Sequence, residues 1–299
     1  MYPQYPYYGY KEEVKRVPIS FPPQHQNFRP GLEYIMVPRP ISENPSYQSG
    51  DKLYNKVAII TGGDSGIGRA TAIVFAKEGA NIAIVYLNEH RDAAETKQRV
   101  ENLGRQCLTI SGDLRKEDTS QQVIKQTIDK FGKLDILVNN VGTGYITHNI
   151  LDISSEQLEE IFSTNIFSFF HMTKAALPYL KSGSSIINTS SIANFQGYEF
   201  SIDYAASKGA IVTFTRSLSL SLIQQGIRVN NVAPGPVWTP LIPSSYSAEQ
   251  ASEHGVNTPM KRAAQPFELA PAYVYLASDD SRYVSGQTIH VNGGVILNT

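Results

Sequence analysis

Across residues 56–291, short apolar runs alternate with stretches in which apolar positions recur every three or four residues. Lys56-Val57-Ala58-Ile59-Ile60-Thr61 is rich in β-branched residues and ends in glycines. Runs of the same character follow at Ile82–Tyr86, Cys107–Ile110, Ile136–Val138, Ser185–Asn188, Ile227–Asn230 and Thr288–Val291. Between them the pattern predicts helices over about 67–79, 89–103, 117–131, 155–180, 204–225 and 266–277. Strands that are apolar on both faces must be covered on both faces, which requires a parallel sheet flanked by helices. Right-handed crossovers then make a single doubly wound, Rossmann-type α/β sheet the economical topology.

The first 50 residues read differently. They hold nine of the 17 prolines and seven of the 17 tyrosines. Proline fixes φ and removes a backbone donor, so neither a regular helix nor an interior strand is expected there. Residues 1–50 are read as an extended arm and 51–299 as one dinucleotide-binding catalytic domain. Disordered tails are poor in aromatics, so the tyrosines argue for at least partial docking of residues 17–50, with residues 1–10 loose. Docking on the body, docking on a neighbouring subunit and a mobile arm all stay open.

Composition narrows the function classes. The 299 residues are 41% hydrophobic and 18% charged, ordinary globular values. With 26 basic and 27 acidic residues, nothing favours nucleic acid or an anionic membrane as the main partner. No apolar run reaches the ~18 residues of a membrane span. The start of the chain lacks the basic and apolar segments of a secretory signal. A single cysteine, Cys107, allows no intrachain disulfide, and a cytoplasmic location is expected. Cys107 itself reads as core.

Candidate chemistry begins where the first strand ends. Gly62, Gly66 and Gly68, with Asp64, Ser65 and Ile67 between them, form a glycine-rich turn opening a helix. Such a turn allows close backbone approach and aims free N–H groups and the helix dipole at a pyrophosphate. Tyr204 and Lys208 lie four apart, hence on one helix face. A free phenol is a poor base at neutral pH, and a neighbouring ammonium favours the phenolate, giving a tuned proton-transfer group. His171 and His290 have no metal-ligand spacing, so structural roles and no metal are expected. No Gly-x-Ser-x-Gly elbow surrounds Ser191, against serine hydrolysis.

The glycine turn is followed in order by Asp113-Leu114, Asn139-Asn140-Val141-Gly142, Ser191, Tyr204-x-x-x-Lys208 and Pro234-Gly235-Pro236-Val237-Trp238-Thr239. Over about residues 50–297 this set resembles the short-chain dehydrogenase/reductase family. The arm and core together look like the bacterial stress-associated branch whose members are often named for glucose or ribitol.

The resemblance implies an NAD- or NADP-dependent oxidoreductase interconverting an alcohol and a carbonyl. It places Asp113 and Leu114 beside the adenine, and Asn140, Val141 and Gly142 by the cofactor ribose. Pro234, Gly235, Val237 and Thr239 would close over the nicotinamide. Lys208 would also bond the nicotinamide ribose, and Tyr204 would act as acid and base. Ser191 would steady the substrate oxygen, with Ser190 as fallback. Asn165 would complete the set through its backbone. Val141 departs from the usual alanine, an overpacking expected to be tolerated.

The ribose-reading segment, Tyr86-Leu87-Asn88-Glu89, offers no aspartate at the strand end. Glu89 would repel a 2′-phosphate and Arg91 would attract one, leaving NAD versus NADP open. Segments 193–201 and 237–262 are expected to line the substrate side, with Ala193, Phe195, Tyr198, Phe200 and Trp238. The second segment, with prolines at 240, 243 and 259, reads as a lid. Such a pocket suits a sugar, polyol, small ketone or acyl chain. The rival readings are a 3-ketoacyl thioester reductase and a non-catalytic scaffold acting through the arm. Family resemblance implies a homotetramer built partly through helices 155–180 and 204–225, with 292–297 apolar enough to join an interface.

Overall fold

A computed structural model describes residues 20–297. The expectations for residues 1–10 and 17–19 therefore lie outside the described residues, as do the last two of the chain.

Seven strands form one parallel sheet: β1 Val57–Thr61, β2 Asn81–Tyr86, β3 Cys107–Ser111, β4 Ile136–Asn139, β5 Ser185–Thr189, β6 Arg228–Pro234 and β7 Thr288–Val291. Their order is β3-β2-β1-β4-β5-β6-β7. The chain winds outward from β1 to β3, then returns to place β4 against the other side of β1. That reversal opens a crevice at the carboxyl edge between β1 and β4, where ligands bind in such sheets. The helices are α1 Gly66–Lys77, α2 His90–Asn102, α3 Glu117–Phe131, α4 Ser155–Phe162, α5 Ser168–Ala176, α6 Ala193–Gln196, α7 Ile202–Leu222, α8 Leu241–Ser245, α9 Ala248–Ser252 and α10 Pro266–Ala277.

Both faces of the central strands are buried, and successive residues divide between two cores. Ala58 and Ile60 face a core with Phe75, Leu269 and Tyr273 from α1 and α10. Ile59 faces the other, with Val123, Ile124 and Met172 from α3 and α5. The period-two alternation of side chains is what lets one apolar run serve two layers.

Two elements depart from the periodicity. The sixth strand runs four residues beyond Asn230 to Pro234, because Asn230 and Asn231 are buried and satisfied by neighbours. The predicted helix over 155–180 is broken by a π-turn at Ser163–Phe167. Asn165 sits in that turn, fully buried. Its side chain accepts from the Thr143 N–H (2.8 Å) and donates to the Thr143 carbonyl (2.9 Å) and Ser207 Oγ (3.0 Å). These long-range partners draw the helix inward, as π-bulges at functional sites often do.

Residues 20–50 are seated on the body. Glu33 enters a buried ion cluster, pairing with Arg69, while Arg69 also meets Asp92 (3.3 Å) and Glu95 (3.4 Å). Tyr47 donates to the Glu78 carboxylate, which also accepts from the Gly50 and Lys52 N–H groups. Phe21 stacks on Trp238 at 3.7 Å between ring centres. Arm and body thus share buried charge and aromatic surface, neither of which is favourable alone. Among the described residues no helix is long and apolar enough to cross a membrane.

Candidate active site

The crevice between β1 and β4 is part of a cleft of about 1270 Å³ that runs across the carboxyl edge of the sheet. Its floor starts at the glycine turn. Gly62 and Gly66 adopt φ of +64° and +51°, a region that penalises any side chain. A Cβ on Gly68 would lie 1.9 Å from the Gly62 carbonyl oxygen, so only glycine lets α1 pack this close to the turn. Gly68 therefore serves the helix–turn contact and does not reach the cleft, whereas Gly62, Asp64, Ser65, Gly66 and Ile67 line it.

Asn140 and Val141 hold the opposite wall. Thr61 Oγ1 accepts from both their N–H groups, at 2.8 and 3.1 Å, and Asn140 Nδ2 donates to the Thr61 carbonyl at 3.1 Å. This ties β1 to β4 where the strand order reverses. Val141 packs among Phe169, Ile166 and Ile211, which absorbs the methyls that the family pattern lacks. Gly142, Pro234, Gly235, Val237 and Thr239 also line the cleft, as do Tyr86, Leu87, Asp113 and Leu114 at its far end. Asn88 does not. Its N–H is turned to the Glu89 carboxylate (2.8 Å), and Glu89, buried, lines the cleft in its stead. Asp113 is clasped by the Arg115 guanidinium, which holds its carboxyl below the usual range. Asp64 is also buried. Loss of water and the neighbouring Glu89 charge push its carboxyl up to about 7. Arg91 is withdrawn over the Tyr34 ring of the arm at 4.2 Å, so it does not line the cleft.

Away from the glycine turn α7 presents Tyr204 and Lys208 to the cleft, which Ser191 also lines. Burial raises the Tyr204 phenol, and the neighbouring Ser191 side chain counters part of that rise. Lys208 donates to the Thr189 carbonyl at 3.0 Å, and burial lowers its ammonium to about 7. Burial thus outweighs the ammonium effect expected from spacing alone: the lysine stands 5.6 Å from the Tyr204 ring centre and is itself destabilised as a cation. Ser190 is committed to Asn231, whose Nδ2 donates to its Oγ at 2.7 Å, leaving Ser191 as the serine that meets the tyrosine. Asn165 lies behind the site and fixes the 143–144 backbone. Gly144 packs against the Tyr204 ring there, and a Cβ would stand 3.2 Å from it, so any side chain would press on the ring.

Of the residues expected on the substrate side, Ala193, Tyr198 and Phe200 line the cleft. Two expected residues do not. Trp238 is fully buried beneath the lid, stacked on Phe21 with Nε1 donating to the Pro38 carbonyl at 2.9 Å. Phe195 points away and packs edge-on against His290 at 4.6 Å. The lid contributes Tyr246, Gln250 and His254, none singled out from the sequence. Burial raises the Tyr246 phenol and lowers His254 to about 4. Only the lid's fold brings them to this wall, and no local motif announces it. Val295 and Ile296 line the same cleft, although the 292–297 segment reads as an interface element.

A glycine turn at the reversal point of a doubly wound sheet, with Ser, Tyr and Lys at its far end, defines a dinucleotide-dependent oxidoreductase. Residues 62–296 match the family described as Enoyl-(Acyl carrier protein) reductase. The chain is 60% identical over 279 residues to the uncharacterized oxidoreductase YhxC of Bacillus subtilis (strain 168), covering 93% of this chain and 97% of that one. It is 49% identical over 285 residues to the glucose and ribitol dehydrogenase of Daucus carota, covering 93% and 98%. Among solved structures it resembles a short chain dehydrogenase from Burkholderia cenocepacia J2315 in complex with NADP, with a TM-score of 0.77, 27% identity and coverage of 81% of this chain and 98% of that one. The chain belongs to the short-chain dehydrogenase/reductase family, and it is an oxidoreductase.

Proposed function

We propose that the protein interconverts a sugar or polyol hydroxyl with the corresponding carbonyl, using NAD or NADP. The observation that carries the reading is that Ser191, Tyr204 and Lys208 together line the cleft wall, with Lys208 buried one helical turn from Tyr204. The dinucleotide fits the residues present. Gly62 and Gly66 leave room for close backbone approach, and the cleft continues from Asp113 past the turn to Tyr204. When bound, it supplies the hydride donor or acceptor.

The chain's own part is orientation and proton transfer. Ser191 holds the substrate oxygen against the Tyr204 hydroxyl, and Tyr204 gives or takes the proton there. Lys208, near neutrality and hydrogen-bonded to Thr189, is positioned to exchange a proton with its surroundings and to bond a ribose hydroxyl. Asn165 keeps the 143–144 backbone against the tyrosine ring.

Hydroxyl- and amide-bearing side chains on the substrate wall, Tyr198, Tyr246, Gln196 and Gln250, favour a polyhydroxylated substrate over an acyl chain. The name of the carrot relative points the same way. The test is cofactor turnover across sugars, polyols, small ketones and a 3-ketoacyl thioester, each with both dinucleotides. Polyols or sugars should lead. A thioester turned over faster by an order of magnitude would overturn the substrate assignment.

We also propose a cytoplasmic homotetramer with the arm as a distinct segment of each subunit. Phe167 and Phe170 around α5 and Leu220 on α7 are exposed apolar side chains on the two helices expected to form the interface.

A further inference from the structure

The cleft wall carries five carboxylates, on Asp64, Glu89, Asp113, Glu160 and Glu253, and three cations, on Arg29, Arg115 and Lys208. Arg115 is spent on Asp113, and Lys208 is turned to the Thr189 carbonyl. Among the described residues no carboxylate pairs with Arg29. Its guanidinium lies 4.1 Å from the centre of the Tyr145 ring.

That contact crosses the cleft. Gly31 of the arm rests on the lid so closely that a Cβ would sit 2.3 Å from the Pro240 carbonyl oxygen. The adjoining Thr239 in turn meets Gly66, where a Cβ would stand 3.0 Å from its methyl. The arm is thus anchored two residues from Arg29, on the glycine-turn side. Tyr145 belongs to the loop after β4, on the other side. The Arg29 side chain therefore reaches from the arm to the Tyr145 wall of the cleft, whose floor is the glycine turn at the start of α1, where a dinucleotide's pyrophosphate sits in this architecture.

The arm also changes what the turn can offer. Glu33 Oε2 accepts the Gly66 N–H at 2.7 Å, so a helix-terminal donor is already taken, and by a negative group. A dianionic pyrophosphate here would be favoured by a nearby cation, and among the described cleft residues Arg29 is the one neither paired with a carboxylate nor turned to a backbone carbonyl. We propose that Arg29, carried in by the arm, is a pyrophosphate-binding residue of this cleft. The inference rests on the dinucleotide site and is independent of the substrate class.

The test is calorimetric binding of ADP-ribose and of adenosine to the full chain, wild type against Arg29→Gln and Arg29→Lys, at low and high salt. Arg29→Gln should weaken ADP-ribose about ten- to a hundredfold, the range of a charge-assisted hydrogen bond. Adenosine should change less than about twofold, and the salt dependence of ADP-ribose binding should shrink. Arg29→Lys should recover part of the loss, since it keeps the charge but not the fork. Trp238 emission, which reports whether Phe21 still covers the indole, should be unchanged in both variants. Wild-type affinity for ADP-ribose in Arg29→Gln would overturn the proposal. So would an equal loss for adenosine, or a shifted emission, because either makes the residue structural. Wild-type protein that binds neither ligand would instead bring down the dinucleotide site itself.

Discussion

Glu33 caps Gly66: a carboxylate from the arm accepts the first N–H of the helix that opens the dinucleotide turn, and the same group pairs with the buried Arg69. Burial raises the Glu33 carboxyl, and the Arg69 charge opposes that rise. The arm is therefore wired into the site from beneath as well as laid over it.

Removing that carboxylate should be costly. Glu33→Ala leaves Arg69 buried with only Asp92 and Glu95 nearby. The expected loss is about 3 kcal/mol, the scale of breaking a buried pair. Urea unfolding measures it. A change under about 0.5 kcal/mol would show that Asp92 and Glu95 suffice.

Tyr204→Phe keeps the ring and removes the proton. Turnover should fall at least about a hundredfold, the usual size of an acid–base contribution. Cofactor affinity should hold within about twofold, because the ring still packs against Gly144. Near-normal turnover would mean that another group carries the proton.

Asp64 links stability to pH. Its folded carboxyl titrates at about 7 against an ordinary 3.8, so between those values the fold binds a proton that the unfolded chain has released. Its contribution is complete below about pH 4 and is lost as pH rises through 7. Asp64→Asn should flatten this decline, making the variant gain on wild type from pH 5 to pH 8 in chemical denaturation. An identical slope in both proteins would place the titration elsewhere.

Trp238 is the chain's single tryptophan, covered by Phe21 from the arm. Phe21→Ala should open water to the indole and move its emission to longer wavelength. The lid, which shares the small cluster of Phe21, Met36, Ile242 and Ala251, should become more sensitive to protease. An unmoved emission maximum would mean that the lid alone shields the ring.

Light scattering should give the mass of a tetramer for the wild-type chain. Phe170→Glu, on the exposed face of α5, should yield a smaller species, because an unpaired charge in an apolar interface is strongly disfavoured. A monomeric wild type would remove the assembly proposal.

Much of the architecture was legible because it is written in local periodicity. All seven strands coincide with the short runs read from the sequence, the sixth extending past its run through Asn231 to Pro234, and six of the helices begin within a few residues of where the amphipathic pattern starts. Ser191, Tyr204 and Lys208 could be grouped because their spacing within one strand–helix unit survives folding. The misplaced residues share a different trait. Trp238 and Phe195 stand beside well-placed neighbours, yet each is claimed by a distant partner that the local sequence does not name, Phe21 and Pro38 for the first and His290 for the second, while Asn88 is turned aside by the adjacent Glu89.

What the sequence determined by itself is the doubly wound sheet, the glycine turn at its reversal and the grouping of Ser191, Tyr204 and Lys208 on one cleft. Hydrophobic period and short fixed offsets encode those without reference to distant chain. What only the tertiary structure decided is that residues 20–50 dock on the body with Arg29, Pro30 and Gly31 at the cleft, that Glu33 reaches the glycine turn, and that Tyr246 and His254 line the cleft. Each depends on a contact between segments many residues apart, set by where burial and charge can be satisfied together, which no single window of sequence contains.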